Sequence, residues 1–281
     1  MTAVKISDGL GNQLFQYACA FSVRKRNGGS LVLDHSILDT NPLRRYELDR
    51  FQLRCDEAVG VSGIPTKPLK VLVRAWMRKA KFSGLRELRE KEPYGYDESI
   101  FAYGSSVYLN GYWQNYRYFE SCRKELSEML KPSFAMSSYA ENMLKEIKDT
   151  ANSVSVHLRR GDYVGKADLP LSYYREAMSY LCSQLDHPVF YVFSDDISYV
   201  KEQFGNGEDL RMIENPSEEQ SCEDFYLMKS CDHHIIANSS YSWWAGFGSL
   251  SGITVCPLYR VWNDAFYPSD WVRIKAEDQN G

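Results

Sequence analysis

Arg159 and Arg160 stand side by side directly after the run Ser153-Val154-Ser155-Val156-His157-Leu158, with Gly161 and Asp162 behind them. Each guanidinium is a permanently charged planar fork of N–H donors, and two together suit a pyrophosphate, whose oxygens can be taken in pairs. A surface cluster of ion pairs is the plainer alternative. Asp162, on the same loop, is the first candidate for a general base, or else the partner that holds Arg160 through an ion pair. A second polar cluster, Asn238-Ser239-Ser240-Tyr241-Ser242, opens a helical stretch that contains Trp243 and Trp244. Asn and Ser at a helix start are caps by default, but the same amides and hydroxyls can hold a phosphate. The two tryptophans read as core rather than as a sugar-stacking platform. Phe193-Ser194-Asp195-Asp196 sets two acids together, which reads as a cap or a contact to a ribose hydroxyl, since no Asp-x-Asp spacing or neighbouring histidine marks a metal. Gly9-Leu10-Gly11-Asn12-Gln13 is a tight turn whose N–H groups could face an anion or a polar substrate. It satisfies neither the G-x-G-x-x-G nor the P-loop pattern.

These clusters fall where a strand passes into a helix. Strands are predicted at residues 4–7, 31–34, 107–111, 154–158, 189–194, 234–237 and 253–256. Helices are predicted at 13–26, 117–130, 139–150, 172–185, 197–204, 221–229 and 241–248. Such alternation predicts an α/β chain with two Rossmann-type, doubly wound domains, 1–135 and 136–281, facing a cleft. Open α/β sheets bind ligands beyond the carboxyl ends of their strands, so the Arg159 loop and the residue 9–12 loop would form opposite walls of that cleft.

Composition narrows the class. The 281 residues, 44% hydrophobic and 25% charged, describe a soluble globular protein able to bury a sizeable core. There is no apolar run of the roughly 18 residues needed to span a membrane, and Met1-Thr2-Ala3-Val4-Lys5-Ile6 reads as a strand rather than a signal peptide. A cytoplasmic location is expected. The seven cysteines are scattered without C-x-x-C or His/Cys ligand spacing, which points to reduced, structural thiols. A net charge of −4 argues against general nucleic-acid binding. Between Lys67 and Lys91, however, nine basic residues meet only Glu87 and Glu90, with Leu69, Leu72, Val73, Trp76 and Met77 at helical spacing. That segment is either a docked helix with a solvated basic face or a basic amphipathic helix lying at the inner face of an anionic membrane.

Taken together, the stretches Gly9 to Tyr17, Val156 to Asp162, Phe193 to Asp196 and Ala237 to Trp244, with Gly111-Tyr112-Trp113-Gln114, resemble the α-1,2-fucosyltransferases of glycosyltransferase family 11. The resemblance spans nearly the whole chain. Its H-x-R-R-x-D motif is shared with other fucosyltransferases, whereas the N-terminal and Trp-Trp motifs are specific to the α-1,2 group. It implies a GT-B fold and transfer of L-fucose from GDP-fucose to the 2-hydroxyl of a terminal β-galactoside, in surface glycan synthesis. Inversion and no metal or other cofactor are also implied, and the acceptor could be lipid-linked.

By the same resemblance Arg159 takes the pyrophosphate with Arg160, Ser239, Ser240, Asn238 and Tyr241 around it. His157 and Asp224 read the guanine, and Asp195 belongs to the donor site. Gly11, Asn12, Gln13 and Gln114 orient sugar hydroxyls from the N-terminal domain, and Asp8 is the second candidate base. Asp8 also departs from the family, which often carries a second glycine there. Fucosyl transfer with another linkage, or a carbohydrate- or nucleotide-binding protein without turnover, are the competing readings.

Overall fold

The computed structural model describes residues 1–205, 207–258 and 266–276, with Asp162 described in its backbone only. The chain divides into two compact units, Met1–Met129 and Leu130–Gly281.

The first unit contains strands β1 (Thr2–Lys5), β2 (Leu31–Asp34), β3 (Glu57–Val59), β4 (Arg86–Arg89) and β5 (Val107–Asn110). Helices α1 (Leu10–Asn27), α2 (Lys67–Phe82) and α3 (Arg123–Met129) join and flank them. All strand pairs are parallel, in the order β3-β2-β1-β5-β4. Parallel strands require crossovers, and the helices cover the sheet, so β1 and β2 are buried almost throughout and read as apolar runs rather than alternations. Helix α1 is nearly enclosed as well, with residues from Leu10 to Val23 buried apart from Asn12.

The second unit contains α4 (Ser138–Asp149), β6 (Ser153–Leu158), α5 (Leu171–Gln184), β7 (Val189–Ser194), α6 (Ile197–Phe204), β8 (Leu210–Met212), α7 (Gln220–Ser230), β9 (His233–Ile235), α8 (Ser240–Gly248), β10 (Thr254–Leu258) and β11 (Val272–Lys275). Its six strands run parallel in the order β11-β10-β9-β6-β7-β8. Counted from β6, that is the 3-2-1-4-5-6 order of a dinucleotide-binding sheet, whose direction of winding reverses between its first and fourth strands, here β6 and β9. A core of Val154, Val156, Leu158, Tyr173, Ala177, Leu181, Val192 and Ile235 joins α5 to the sheet. Trp243 and Trp244 are 0% and 1% exposed, and Trp243 stacks on Phe247 and donates from Nε1 to the Phe266 carbonyl at 3.0 Å. They are core residues, as expected.

Both units are the doubly wound α/β layers expected. Four elements escaped the sequence reading: β3, β4, β8 and β11 are edge or near-edge strands of only three or four residues, too short to show a period. Two spans are corrected. The helix expected at 117–130 begins only at Arg123, because Tyr116–Tyr118 and Glu120–Cys122 form separate 3-10 turns, the first capped by Asn115. The basic segment ends as a helix at Phe82, and Arg86–Arg89 is strand β4.

Candidate active site

In the second unit the register sets the ends of three strands level. Leu158 pairs with Ser194 and Val156 with Ile235, so the loops after β6, β7 and β9 leave one edge of the sheet together at its switch point. Arg159 follows β6 and Asp195 follows β7, and Nη1 of Arg159 donates to Oδ2 of Asp195 at 2.5 Å. The Arg160 backbone N–H donates to the other oxygen of the same carboxylate at 2.8 Å. Both Asp195 oxygens are thus committed to the arginine loop. Asp195 therefore positions the arginine loop, while its side chain, 29% exposed, keeps acceptor capacity of its own. Gly161 closes this turn with φ +24°, and a Cβ there would meet Asp195 Oδ2 at 2.6 Å.

Arg160 is held apart from Arg159. Its Nε donates to Asp196 Oδ2 at 3.2 Å and its guanidinium lies 3.4 Å from the Tyr199 ring centre. Asp196 also caps α6 by accepting from the Tyr199 N–H. Arg160 is therefore anchored to the start of α6. Arg159, whose side chain is 28% exposed, keeps an accessible edge.

His157, the penultimate residue of β6, is buried, and its Nδ1 has no hydrogen-bond partner among the described residues. Burial, and secondarily the Arg159 charge, hold its imidazole down at about 3, so it is neutral at physiological pH. Asn238, beyond β9, is 1% exposed; its Nδ2 donates to the Ala167 carbonyl at 2.7 Å while its Oδ1 finds no partner among the described residues. A buried polar atom without a partner costs about 1–3 kcal/mol, so both are places where a ligand would gain by arriving.

Helix α8 begins here. Ser239 caps it, accepting from the Tyr241 N–H at 3.3 Å, and Ser240 is its first residue, half-buried. The cap reading is realised, and the partial positive charge of the helix start lies in the same loop cluster as Arg159. Tyr241 packs its ring 5.5 Å from that of His157 and 5.7 Å from Phe225, and its hydroxyl donates to the Ser221 carbonyl at 2.5 Å. It therefore ties the end of β6 to α7.

Asp224 lies on α7 and accepts from Asn215 Nδ2 at 3.1 Å. Burial pushes its carboxyl up to about 6, against the pull of hydrogen bonds from Asn215 and Gln220. Its neighbour Glu223 is fully used within the fold, accepting from the Ser137 N–H at 2.6 Å, the Ser137 hydroxyl at 2.9 Å and Asn215 at 2.9 Å. Asp162 lies outside the described side chains.

The first unit has its own switch point at β1, between β2 and β5, and the loops after β1 and β5 meet there. Asp8 adopts φ +66°, in the left-handed region that glycine enters freely and Asp tolerates. That explains how an acid can stand where the resemblance implies the first glycine of a Gly-Gly pair. The Tyr112 hydroxyl donates to Asp8 Oδ2 at 2.8 Å, and burial, with this contact, raises the phenol to about 12. Gln114 donates to Asn12 Oδ1 at 2.7 Å, so two of the expected sugar-orienting residues are bonded to each other. Gly11 is buried in the helix start.

Gln13 is a correction. It is 0% exposed, its Nε2 donates to the carbonyls of Asp8 and Arg45 at 2.8 Å each, and its Oε1 accepts from the Glu47 N–H at 3.0 Å. All of that binds the turn to the 45–47 segment, leaving it nothing to offer a sugar. A cleft of about 230 Å³, lined by Lys5, Ser7, Asp8, Asn41, Asn110 and Tyr112, opens beside the turn. Sequence reading missed Glu90 here. Its carboxylate accepts from the N–H groups of Tyr112 and Trp113 at 2.8 and 2.9 Å, and a Cβ on Gly111 would meet Glu90 Cβ at 2.4 Å. Its place next to Arg89 in a basic stretch carried no signal, since the partners come from the segment that follows β5.

The model of glycosyl transferase family 11 matches residues 71–275. The chain belongs to this family. An Escherichia coli α-1,2-colitosyltransferase is 32% identical to this family 11 enzyme, over 98% of this chain and 99% of its own. The E. coli O-antigen biosynthesis glycosyltransferase WbnK is 30% identical over 86% of this chain and 88% of its own. Galactoside α-(1,2)-fucosyltransferase 2 of Bos taurus is 24% identical over 95% and 77%. In fold the family 11 chain is similar to the fucosyltransferase NodZ from Bradyrhizobium, with a TM-score of 0.52 at 14% identity over 86% of this chain and 91% of that one. The protein is thus a glycosyltransferase with the GT-B fold, a Rossmann-like sheet in each unit. Among the described residues no helix is long and apolar enough to cross a membrane.

Proposed function

We propose that this glycosyltransferase moves L-fucose from GDP-fucose to the 2-hydroxyl of a terminal β-galactoside, with inversion and without a metal. The observation that carries the donor side is the meeting of Arg159 with the α8 helix start and the partnerless atoms of His157 and Asn238 at the β6/β9 switch point. As the sugar leaves through an oxocarbenium-like transition state, negative charge grows on the β-phosphate. Arg159 and the α8 N–H groups, with Ser239 and Ser240, stabilise that charge, the task a metal performs elsewhere. Neutral His157 and the Asp224 carboxylate face the guanine; an ionised Asp224 accepts from two adjacent base N–H groups and so selects GDP over ADP. Asp195 fixes Arg159 in place.

On the acceptor side, Asp8, Tyr112 and the polar cleft around them would receive the galactoside, with Asn12 and Gln114 shaping the turn. Asp8 and Asp162 are the candidate bases for the attacking hydroxyl. The α-1,2-fucosyltransferase relative supports the sugar and linkage, and surface glycan synthesis is the setting that the O-antigen relative supports.

The E. coli relative favours a second reading, in which the transferred sugar is colitose, L-fucose lacking the 3-hydroxyl. A site that hydrogen-bonds the 3-hydroxyl discriminates strongly against a donor without it, whereas an apolar contact there discriminates weakly. Purified protein incubated with GDP-fucose and lactose in EDTA should release GDP only when both are present. Acceptor-dependent release that needs a divalent metal would overturn the metal-free mechanism. Failure to bind GDP-fucose at all would overturn the donor, and the same assay with GDP-colitose separates the two sugars.

A further inference from the structure

Helix α2 is the least buried long element of the described chain. Over 16 residues it buries only Phe82. One side of it docks: Val73 and Met77 are half-buried, and Met77 and Phe82 pack with Ala3, Val32, Val59 and Tyr108 of the first sheet. Lys70 donates to the Asp39 carbonyl at 3.2 Å, Lys81 pairs with Glu57, and Arg78 lies 3.8 Å from Glu87. These contacts settle which way the helix faces. They also split the apolar set read from the sequence as one face, because Leu69, Leu72 and Trp76 point away from the sheet, 43%, 66% and 69% exposed.

Residues 69, 72 and 76 are spaced by three and four, so they form one stripe along the outer surface. Lys67 and Lys79 are exposed near its two ends, and neither has an acidic partner among the described residues. No acid occurs between Lys67 and Phe82. An apolar stripe with an exposed tryptophan, bordered by unneutralised lysines, complements a surface that is apolar beneath and negative above. We infer that α2 is a peripheral docking element that lies in the plane of an anionic phospholipid bilayer, with Leu69, Leu72 and Trp76 entering the acyl boundary and Lys67 and Lys79 meeting the headgroups. Sixteen residues of helix extend about 24 Å at 1.5 Å each, and this one is too charged to span the bilayer. A second copy of the chain is the poorer occupant, since a two-fold contact through this face would set the lysines of an acid-free helix against their own images. The inference is independent of the donor and acceptor assigned above.

The experiment is co-sedimentation of the full chain with vesicles of phosphatidylcholine alone and with about one third phosphatidylglycerol. The wild type should bind the anionic vesicles at least tenfold more tightly than the neutral ones, weaken as salt rises, and show a blue-shifted Trp emission on binding. The pair Leu72→Glu with Trp76→Glu should abolish sedimentation while leaving the melting temperature unchanged, as neither side chain belongs to the core. Lys67→Gln with Lys79→Gln should lose the preference for anionic lipid. Equal binding to both vesicle types, absence of binding, or a concentration-dependent dimer that the Glu variants dissolve would each overturn the inference, the last by assigning the stripe to a self-interface.

Discussion

Asp195 receives Arg159 Nη1 on one carboxylate oxygen and the Arg160 backbone N–H on the other, at 2.5 and 2.8 Å. One acid on β7's exit thereby sets both the position of a guanidinium on β6's exit and the path of the chain that carries it. Tyr174, buried under the loop, adds a hydrogen bond to the Arg159 backbone. The cation is presented rather than left to swing, which is what electrostatic stabilisation of a transition state requires.

Replacing Asp195 with Asn keeps the shape but removes the charge that orients Arg159. Transfer should fall roughly 10- to 100-fold in kcat/KM, the range in which supporting residues act in other sites. Gly161→Ala should cost a similar amount, since its Cβ would press on Asp195 Oδ2. Combined in one protein the two losses should not add, because they disturb the same contact. Fully additive losses in steady-state kinetics would refute the shared mechanism.

Arg159→Lys keeps a charge and loses the fork. About 3 kcal/mol of transition-state stabilisation is at stake, so kcat with GDP-fucose should drop by two orders of magnitude or more, while circular dichroism stays unchanged. Full activity in the lysine protein would remove Arg159 from the phosphate site.

Asp224 predicts a pH dependence with a definite sign. In the free protein burial raises its pKa to about 6, and guanine N–H donors would favour the ionised form, so the complex has the lower value. Donor affinity is then complete above about pH 6 and weakens as the pH falls below it, down to the pKa of the complex. Asp224→Asn should bind GDP more weakly and without that pH dependence. Isothermal titration of GDP between pH 4.5 and 8 gives the test; identical slopes in both proteins would exclude the role.

Asp8 separates chemistry from scaffolding on the acceptor side. Asp8→Asn should lower kcat about 100-fold or more if Asp8 is the base, whereas Tyr112→Phe, which removes only the phenol that bonds it, should cost far less. If Asp8→Asn retains wild-type kcat, the base lies elsewhere, and Asp162→Asn becomes the decisive variant.

Trp243→Ala probes the frame. The residue is 0% exposed and clasped by Phe247, Phe266 and Trp271, so its loss should destabilise the fold by about 3–5 kcal/mol in urea unfolding. A shift below 1 kcal/mol would contradict its place in the core.

Much of this protein could be read from the chain alone. Strands such as Leu31–Asp34 and Val189–Ser194 and helix Ile197–Phe204 are legible because burial on both faces makes a strand uniformly apolar and a cap such as Asp196 marks a helix start locally. The α/β class and the family follow from the same local signals, since motif residues occupy fixed places in strand–turn–helix units. What stayed illegible depends on partners distant in sequence. Strands Glu57–Val59, Arg86–Arg89, Leu210–Met212 and Val272–Lys275 exist because a neighbouring strand offers hydrogen bonds, and nothing in three or four residues announces that neighbour. Gln13 carries the family motif yet spends its amide on Arg45 and Glu47, and Asp195 spends its carboxylate on the arginine loop. Glu90 matters through Tyr112 and Trp113, 22 and 23 positions away. In α2 the sequence determined an amphipathic helix, while only the docked structure decided that Met77 turns inward and Trp76 outward. Local propensity and motif are properties of neighbouring residues in the chain. Which of a side chain's donors remain for a ligand is settled only once the fold has used the others.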